Sequence, residues 1–153
     1  MISAVIAVRD VDASVAFYTE RLGFVSDGKM TTSEGKAIYA NARLGGDIQF
    51  MFDGFPDPQL RFGRRGLGVE FHVTLPEAVD INALYARFLE QGVSIVGSLR
   101  EEFWGERRFT IIDPDGYYLS FVKSVKPLSA VTPDADTSED DTQAYAPLEA
   151  ASA

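Results

Sequence analysis

Val11-Asp12-Ala13-Ser14-Val15-Ala16-Phe17-Tyr18-Thr19-Glu20-Arg21-Leu22-Gly23-Phe24 and Val79-Asp80-Ile81-Asn82-Ala83-Leu84-Tyr85-Ala86-Arg87-Phe88-Leu89-Glu90-Gln91-Gly92-Val93 are two versions of one segment, related by a single inserted residue. Each has an aspartate where a helix N-cap is wanted and a glycine where the helix must stop. Asp10 or Asp12 is predicted to cap a helix over residues 13–22, and Asp80 one that runs to about residue 91. Both helices carry a tyrosine and an arginine near their ends, Tyr18 with Arg21 and Tyr85 with Arg87.

Working outward, each helix has one strand-like run before it and three after it. In the first half these runs are residues 2–8, then 24–26, 37–44 and 47–52, with Gly45-Gly46 suited to a two-residue hairpin turn. In the second half they are residues 69–74, then 93–96, 107–112 and 117–122, the last two joined by the turn-forming Asp113-Pro114-Asp115-Gly116. The chain is therefore predicted to be α+β, built from two tandem βαβββ modules at 1–53 and 67–126, with a Gly-, Pro- and Arg-rich linker at 54–66. Residues 127–153 have no apolar periodicity and are rich in Ser, Thr, Ala, Asp and Pro, so a disordered acidic tail is expected there.

Composition narrows the functional classes. Of the 23 acidic residues, Asp134, Asp136, Glu139, Asp140, Asp141 and Glu149 lie in the tail; the rest of the chain carries 17 acids against 14 bases, a net of −3 rather than the whole chain's −9. Nothing resembles the clustered positive charge of a nucleic-acid footprint. No run approaches the ~20 apolar residues of a membrane helix, so no membrane partner is expected. Zero cysteines exclude disulfides, thiolate metal sites and cysteine nucleophiles, and make a cytoplasmic location the expectation. No Gly-x-Ser-x-Gly elbow or phosphate loop is present.

Several motifs carry a family resemblance. Val8-Arg9-Asp10-Val11, Ser14, Phe17-Tyr18 and Leu22-Gly23-Phe24 resemble the opening signature of the vicinal-oxygen-chelate superfamily, which includes glyoxalase I, bleomycin-resistance proteins and extradiol dioxygenases. Asp113-Pro114-Asp115-Gly116 with the strand after it resembles the closing signature, and Trp104-Gly105-Glu106-Arg107-Arg108-Phe109 the form seen in bleomycin-resistance-type members. The resemblance spans about residues 2–123. It implies curved mixed sheets, helices on their convex side, a cup-shaped cavity for a small-molecule ligand, and a homodimer that often pairs or exchanges modules.

Metal-dependent members place two His and two Glu, or near variants, on four cup-facing strand positions. Here those positions fall at Ser3, Gln49, near Gly68 and at Ser120. Neutral oxygens and a missing side chain make a poor divalent site. Glu70 and His72 share the face of the second-module position, but one imidazole and one carboxylate fall short of three protein ligands. No metal and no cofactor is therefore expected.

Strand alternation then lines the cup with Gln49, Met51, Glu70, His72, Tyr118 and Ser120, and sends Ile48, Phe50, Val69, Phe71, Leu119 and Phe121 to the core. Trp104 is expected to stack on a ligand or to pack at an interface. Of Arg107 and Arg108 one should face inward, where it can pair with Glu70 or bind an anion; Arg107 is included among the expected ligand contacts. His72 has a purely structural alternative, a hydrogen bond to Glu70 or a neighbour. The functional expectation is a metal-free protein that sequesters an aromatic or amphipathic compound, with no catalytic residue. The alternative is a lyase, isomerase or dioxygenase-like enzyme using Glu70 or His72 as base.

Overall fold

The computed structural model describes residues 2–46, 48–54, 66 and 68–125. Most of the linker expected at 54–66, and the tail expected at 127–153, lie outside the described residues. Two βαβββ modules follow one another. The first comprises β1 (Ile2–Ala7), α1 (Val11–Ala16), β2 (Lys29–Thr31), β3 (Ala37–Leu44) and β4 (Ile48–Asp53). The second comprises β5 (Glu70–Thr74), α2 (Ile81–Glu90), β6 (Ile95–Glu101), β7 (Glu106–Ile112) and β8 (Tyr118–Ser124). Each forms a four-stranded mixed sheet, in the orders β1-β4-β3-β2 and β5-β8-β7-β6, with the first strand of each module parallel to its last.

The helix ends follow from the side chains at them. Asp10, not Asp12, caps α1 by accepting from the Ala13 amide at 3.0 Å; Asp80 accepts from the amides of Asn82 and Ala83 at 2.8 and 3.4 Å. After Ala16 the first helix continues as a π-helical turn, Phe17–Arg21. Gly23 and Gly92, at φ 81° and 67°, then take the left-handed conformation that ends each helix.

Four local expectations are corrected. The first edge strand lies at Lys29–Thr31, not at 24–26, where only Val25 bridges to Arg43. Phe24 is buried against Tyr18 and Phe50, and so is committed to the core rather than to a ladder. The β3–β4 connection has three residues, since Leu44 pairs with Ile48. β6 starts at Ile95, with Val93 buried before it, and runs on to Glu101 through two register shifts. Val69 is 49% exposed and precedes β5, because Gly68 (φ 75°) turns the chain just ahead of it.

Alternation otherwise sorts the side chains as expected. Phe50, Phe52, Phe109, Leu119 and Phe121 are buried beneath the helices, where Tyr18 packs on Phe50 and Phe52, and Phe88 on Phe109 and Phe121. One core serves both modules: Phe50 meets Phe71 edge-on at 4.8 Å, and the helix-facing rows of both sheets belong to one cluster. The opposite, open faces of the two sheets therefore lie outside that shared core.

The two family-like signatures meet at the module interface. Asp113 accepts the Tyr18 hydroxyl at 3.0 Å and the amides of Asp115 and Tyr117 at 2.9 and 2.8 Å. Asp115 accepts the Arg9 amide and Nε, both at 3.0 Å, and the Ser14 hydroxyl at 3.3 Å. The Tyr117 hydroxyl donates to the Ala7 carbonyl at 3.0 Å. Buried polar groups must be paired, and here each finds its partner in the other module or in the turn itself.

Candidate functional site

On the open face of the second sheet, parallel pairing sets Glu70 opposite Tyr118 and His72 opposite Ser120, while Thr110 of β7 faces Ser120 from the other side. These neighbours converge on one carboxylate. Glu70 Oε1 accepts from the Arg108 guanidinium and from the Ser120 hydroxyl, and His72 Nε2 stands 3.4 Å away. Arg108 Nη2 also donates to Ser120 Oγ at 2.6 Å, and Ser120 Oγ and Thr110 Oγ1 share a further bond at 2.6 Å. Ser120 is fully buried beneath this network, whereas His72 is exposed at its rim.

Partial burial of Glu70 opposes its charge. The Ser120 hydroxyl, the Arg108 guanidinium and His72 outweigh that effect and hold the carboxyl below its ordinary value. Behind Arg108, its Nε lies 3.9 Å from Glu102 Oε1, which Arg100 Nη2 approaches at 2.8 Å, so the Arg108 guanidinium lies between two carboxylates and of these hydrogen-bonds only Glu70.

The open face of the first sheet differs. Ser3 Oγ donates to its cross-strand partner Gln49 at 2.9 Å. Val5 lies beside the half-buried Met51 and, toward the edge, Met30 beside Tyr39, while Asn41, Arg43 and Asp53 place polar groups between them on the same face.

The expected site residues are thus distributed over several places. Glu70, His72 and Ser120 form one cluster, with the half-buried Tyr118 beside Glu70; Gln49 and Met51 lie on the other module's open face. Trp104 sits in the β6–β7 hairpin, its indole N–H bonded to Glu106 at 2.7 Å and its ring edge-on to the exposed Phe103. Arg107 is directed to the helix side, where it bonds Asn82 of α2 at 2.7 Å and Glu101 at 3.2 Å. The inward arginine is Arg108. The β7–β8 register sets this, since Arg108 has the parity of Thr110, which stands directly opposite Ser120.

Register also revises the metal positions. In the first module Ser3 stands opposite Gln49; in the second the residue opposite Ser120 is His72, and Gly68 lies ahead of the strand. The positions that the family resemblance assigns to metal ligands then hold two hydroxyls, one amide and one imidazole, with a guanidinium bonded to the Ser120 hydroxyl. Such a set does not fit a divalent ion, because the Arg108 charge repels one and the Ser120 oxygen is already engaged. Among the described residues, no group of three or more His, Cys, Asp or Glu side chains is placed to hold a metal.

The model of the "Glyoxalase/Bleomycin resistance protein/Dioxygenase superfamily" matches residues 2–121. The chain belongs to this superfamily. Rv0887c of Mycobacterium tuberculosis, an uncharacterized protein, is 27% identical over 128 residues, covering 79% of this chain and 72% of its own. In fold the chain is similar to TioX from Micromonospora sp. ML1 (TM-score 0.65, 21% identity, covering 80% of this chain and 97% of that one). It is likewise similar to TnmS3, an antibiotic binding protein from Streptomyces sp. CB03234 (TM-score 0.61, 22% identity, 80% and 93% covered). A third structure, a glyoxalase/bleomycin resistance protein/dioxygenase from Alicyclobacillus acidocaldarius, has TM-score 0.65 at 20% identity, with 82% and 92% covered. Among the described residues no helix is long and apolar enough to cross a membrane.

Proposed function

We propose that this superfamily member is a metal-free binding protein that sequesters an amphipathic or aromatic small molecule, with no chemical step. The observation that carries this reading is the Arg108 guanidinium, bonded to Glu70 and Ser120 among the positions that metal-dependent relatives use for their ligands. A fixed protein cation supplies hydrogen bonds and field there but no open coordination position. The antibiotic-binding description of TnmS3, which shares the fold, supports the same class of ligand.

The two open faces differ in character, one mixing the apolar Val5, Met51 and Met30 with Asn41 and Arg43, the other polar around Glu70, His72 and Arg108. Since they lie outside one shared core, a cup lined by both is made by two chains in a cytoplasmic homodimer, the first module of one copy facing the second module of the other. A ligand with an aromatic body and a polar edge then meets a suitable wall on each side.

The experiment is a thermal-shift screen of chelator-treated protein against aromatic antibiotics, repeated with added zinc, nickel, manganese or cobalt. A ligand of the native state raises the melting temperature by mass action. Shifts with a compound and none with any metal uphold the proposal; near-stoichiometric metal with an upward shift overturns it. One observation favours a second reading, catalysis with Glu70 as base: the carboxylate is held ionised beside an imidazole. Glu70→Gln separates the two, abolishing turnover in an enzyme and only weakening affinity in a binder.

A further inference from the structure

A cavity of about 600 Å³ opens on the helix side of the molecule, away from the Glu70 cluster. Its walls come from both modules, Leu22, Leu44 and Ile48 from the first and Leu75, Val79 and Leu84 from the second. Leu44 and Ile48 belong to the helix-facing rows of their strands, so this space is separate from either open face. Its volume falls in the range of small-molecule sites, ~300–1,000 Å³.

Helix α2 forms one wall with Asp80, Ala83, Leu84 and Arg87, a stripe at i, i+3, i+4 and i+7 that extends roughly 10 Å. The two ends of the stripe differ. The Asp80 carboxylate is occupied by the amides of Asn82 and Ala83 that it caps. Arg87 stacks its guanidinium over Phe88 at 5.5 Å and reaches toward Gly23, with Nη2 3.7 Å from where a side chain at that glycine would begin. Among the described residues Arg87 makes no ion pair, unlike Arg9, Arg43, Arg100, Arg107 and Arg108.

We infer that this inter-module cavity is a second binding site, for an apolar molecule with a single anionic head, such as a medium-chain carboxylate. The hydrocarbon lies between the leucine and isoleucine walls and the head meets Arg87. Apolar lining supplies most of the affinity, and the unpaired guanidinium selects the head group. Because both modules line the cavity, occupancy ties them together and raises the melting temperature.

The test is calorimetric titration of the full chain with dodecanoate, alongside neutral dodecanol. Dodecanoate is expected to bind saturably at one site per chain, and dodecanol more weakly. Arg87→Gln should weaken dodecanoate by about tenfold, with Arg87→Lys recovering most of the loss, as expected for a charge-assisted contact. Ala83→Trp, at an exposed helix position, fills the cavity and should abolish binding while circular dichroism shows the fold intact. Met51→Trp, on the open face, should leave affinity unchanged. Absence of saturable binding overturns the assignment. So does affinity that ignores both Arg87→Gln and Ala83→Trp, or that falls instead with Met51→Trp.

Discussion

The Tyr18 hydroxyl, from the first module's helix, donates at 3.0 Å to Asp113, in the turn between the second module's last two strands. Both groups are buried, so neither has water as an alternative partner. Tyr18→Phe keeps the ring contacts with Phe50 and Phe52 but leaves a carboxylate oxygen unpaired. The expected loss is about 1–3 kcal/mol, measured by urea denaturation. A loss below a few tenths would mean that the bond does not hold the modules together.

Two carboxylates should make stability respond to acid in opposite senses. Burial pushes Asp113 up from its ordinary value, against the hydrogen bonds that pull it down. Its folded form therefore binds a proton more readily than its unfolded form, so its contribution is full in acid and is lost as pH rises through the folded pKa. Glu70 is held below its ordinary value; its contribution is present above that value and is lost as pH falls through the folded pKa. Melting temperature followed across the acid range should thus change slope in opposite directions in Asp113→Asn and Glu70→Gln. Parallel changes would refute one assignment.

The fold was legible because each module repeats strong local signals. Asp80 and Asp10 cap, Gly23 and Gly92 stop, and β3 has the alternation that predicts its full length. What escaped notice is polar or lies beside a turn. β2 is an edge strand exposed along its length, so no buried face imposes a pattern on it. The second-module metal position, read near Gly68, lies ahead of β5, and only the β5–β8 register, with His72 opposite Ser120, shows which residue corresponds to Ser3. Alternation alone left Arg107 and Arg108 equivalent. Only the β7–β8 register, with Thr110 on Ser120, shows which one reaches Glu70.

Two glycines with similar backbones should respond very differently to alanine. Gly45 has φ 61° and open space around it, so Gly45→Ala incurs only the left-handed penalty, roughly 1–2 kcal/mol. Gly66 has φ 75°, and a Cβ there would stand 2.0 Å from the Gly116 carbonyl oxygen. Backbone cannot rotate away as a side chain can, so Gly66→Ala should cost about 3 kcal/mol or more. Equal losses in paired denaturation curves would show that this close approach does not persist in solution.

Val5 tests the two-chain cup. It is 57% exposed in the single chain, on the open face beside Met51, so Val5→Arg should change the stability of an isolated chain by no more than about 0.5 kcal/mol. If that face meets the second module of another copy, an arginine there is a long charged side chain forced into the interface, and the Glu70 carboxylate opposite is already bonded to Arg108. Light scattering coupled to size exclusion should then find the wild-type chain dimeric and Val5→Arg monomeric, with compound-induced melting shifts lost in the variant. A dimer that survives the substitution with its ligand response intact would move the interface, and the cup, to some other face of the molecule.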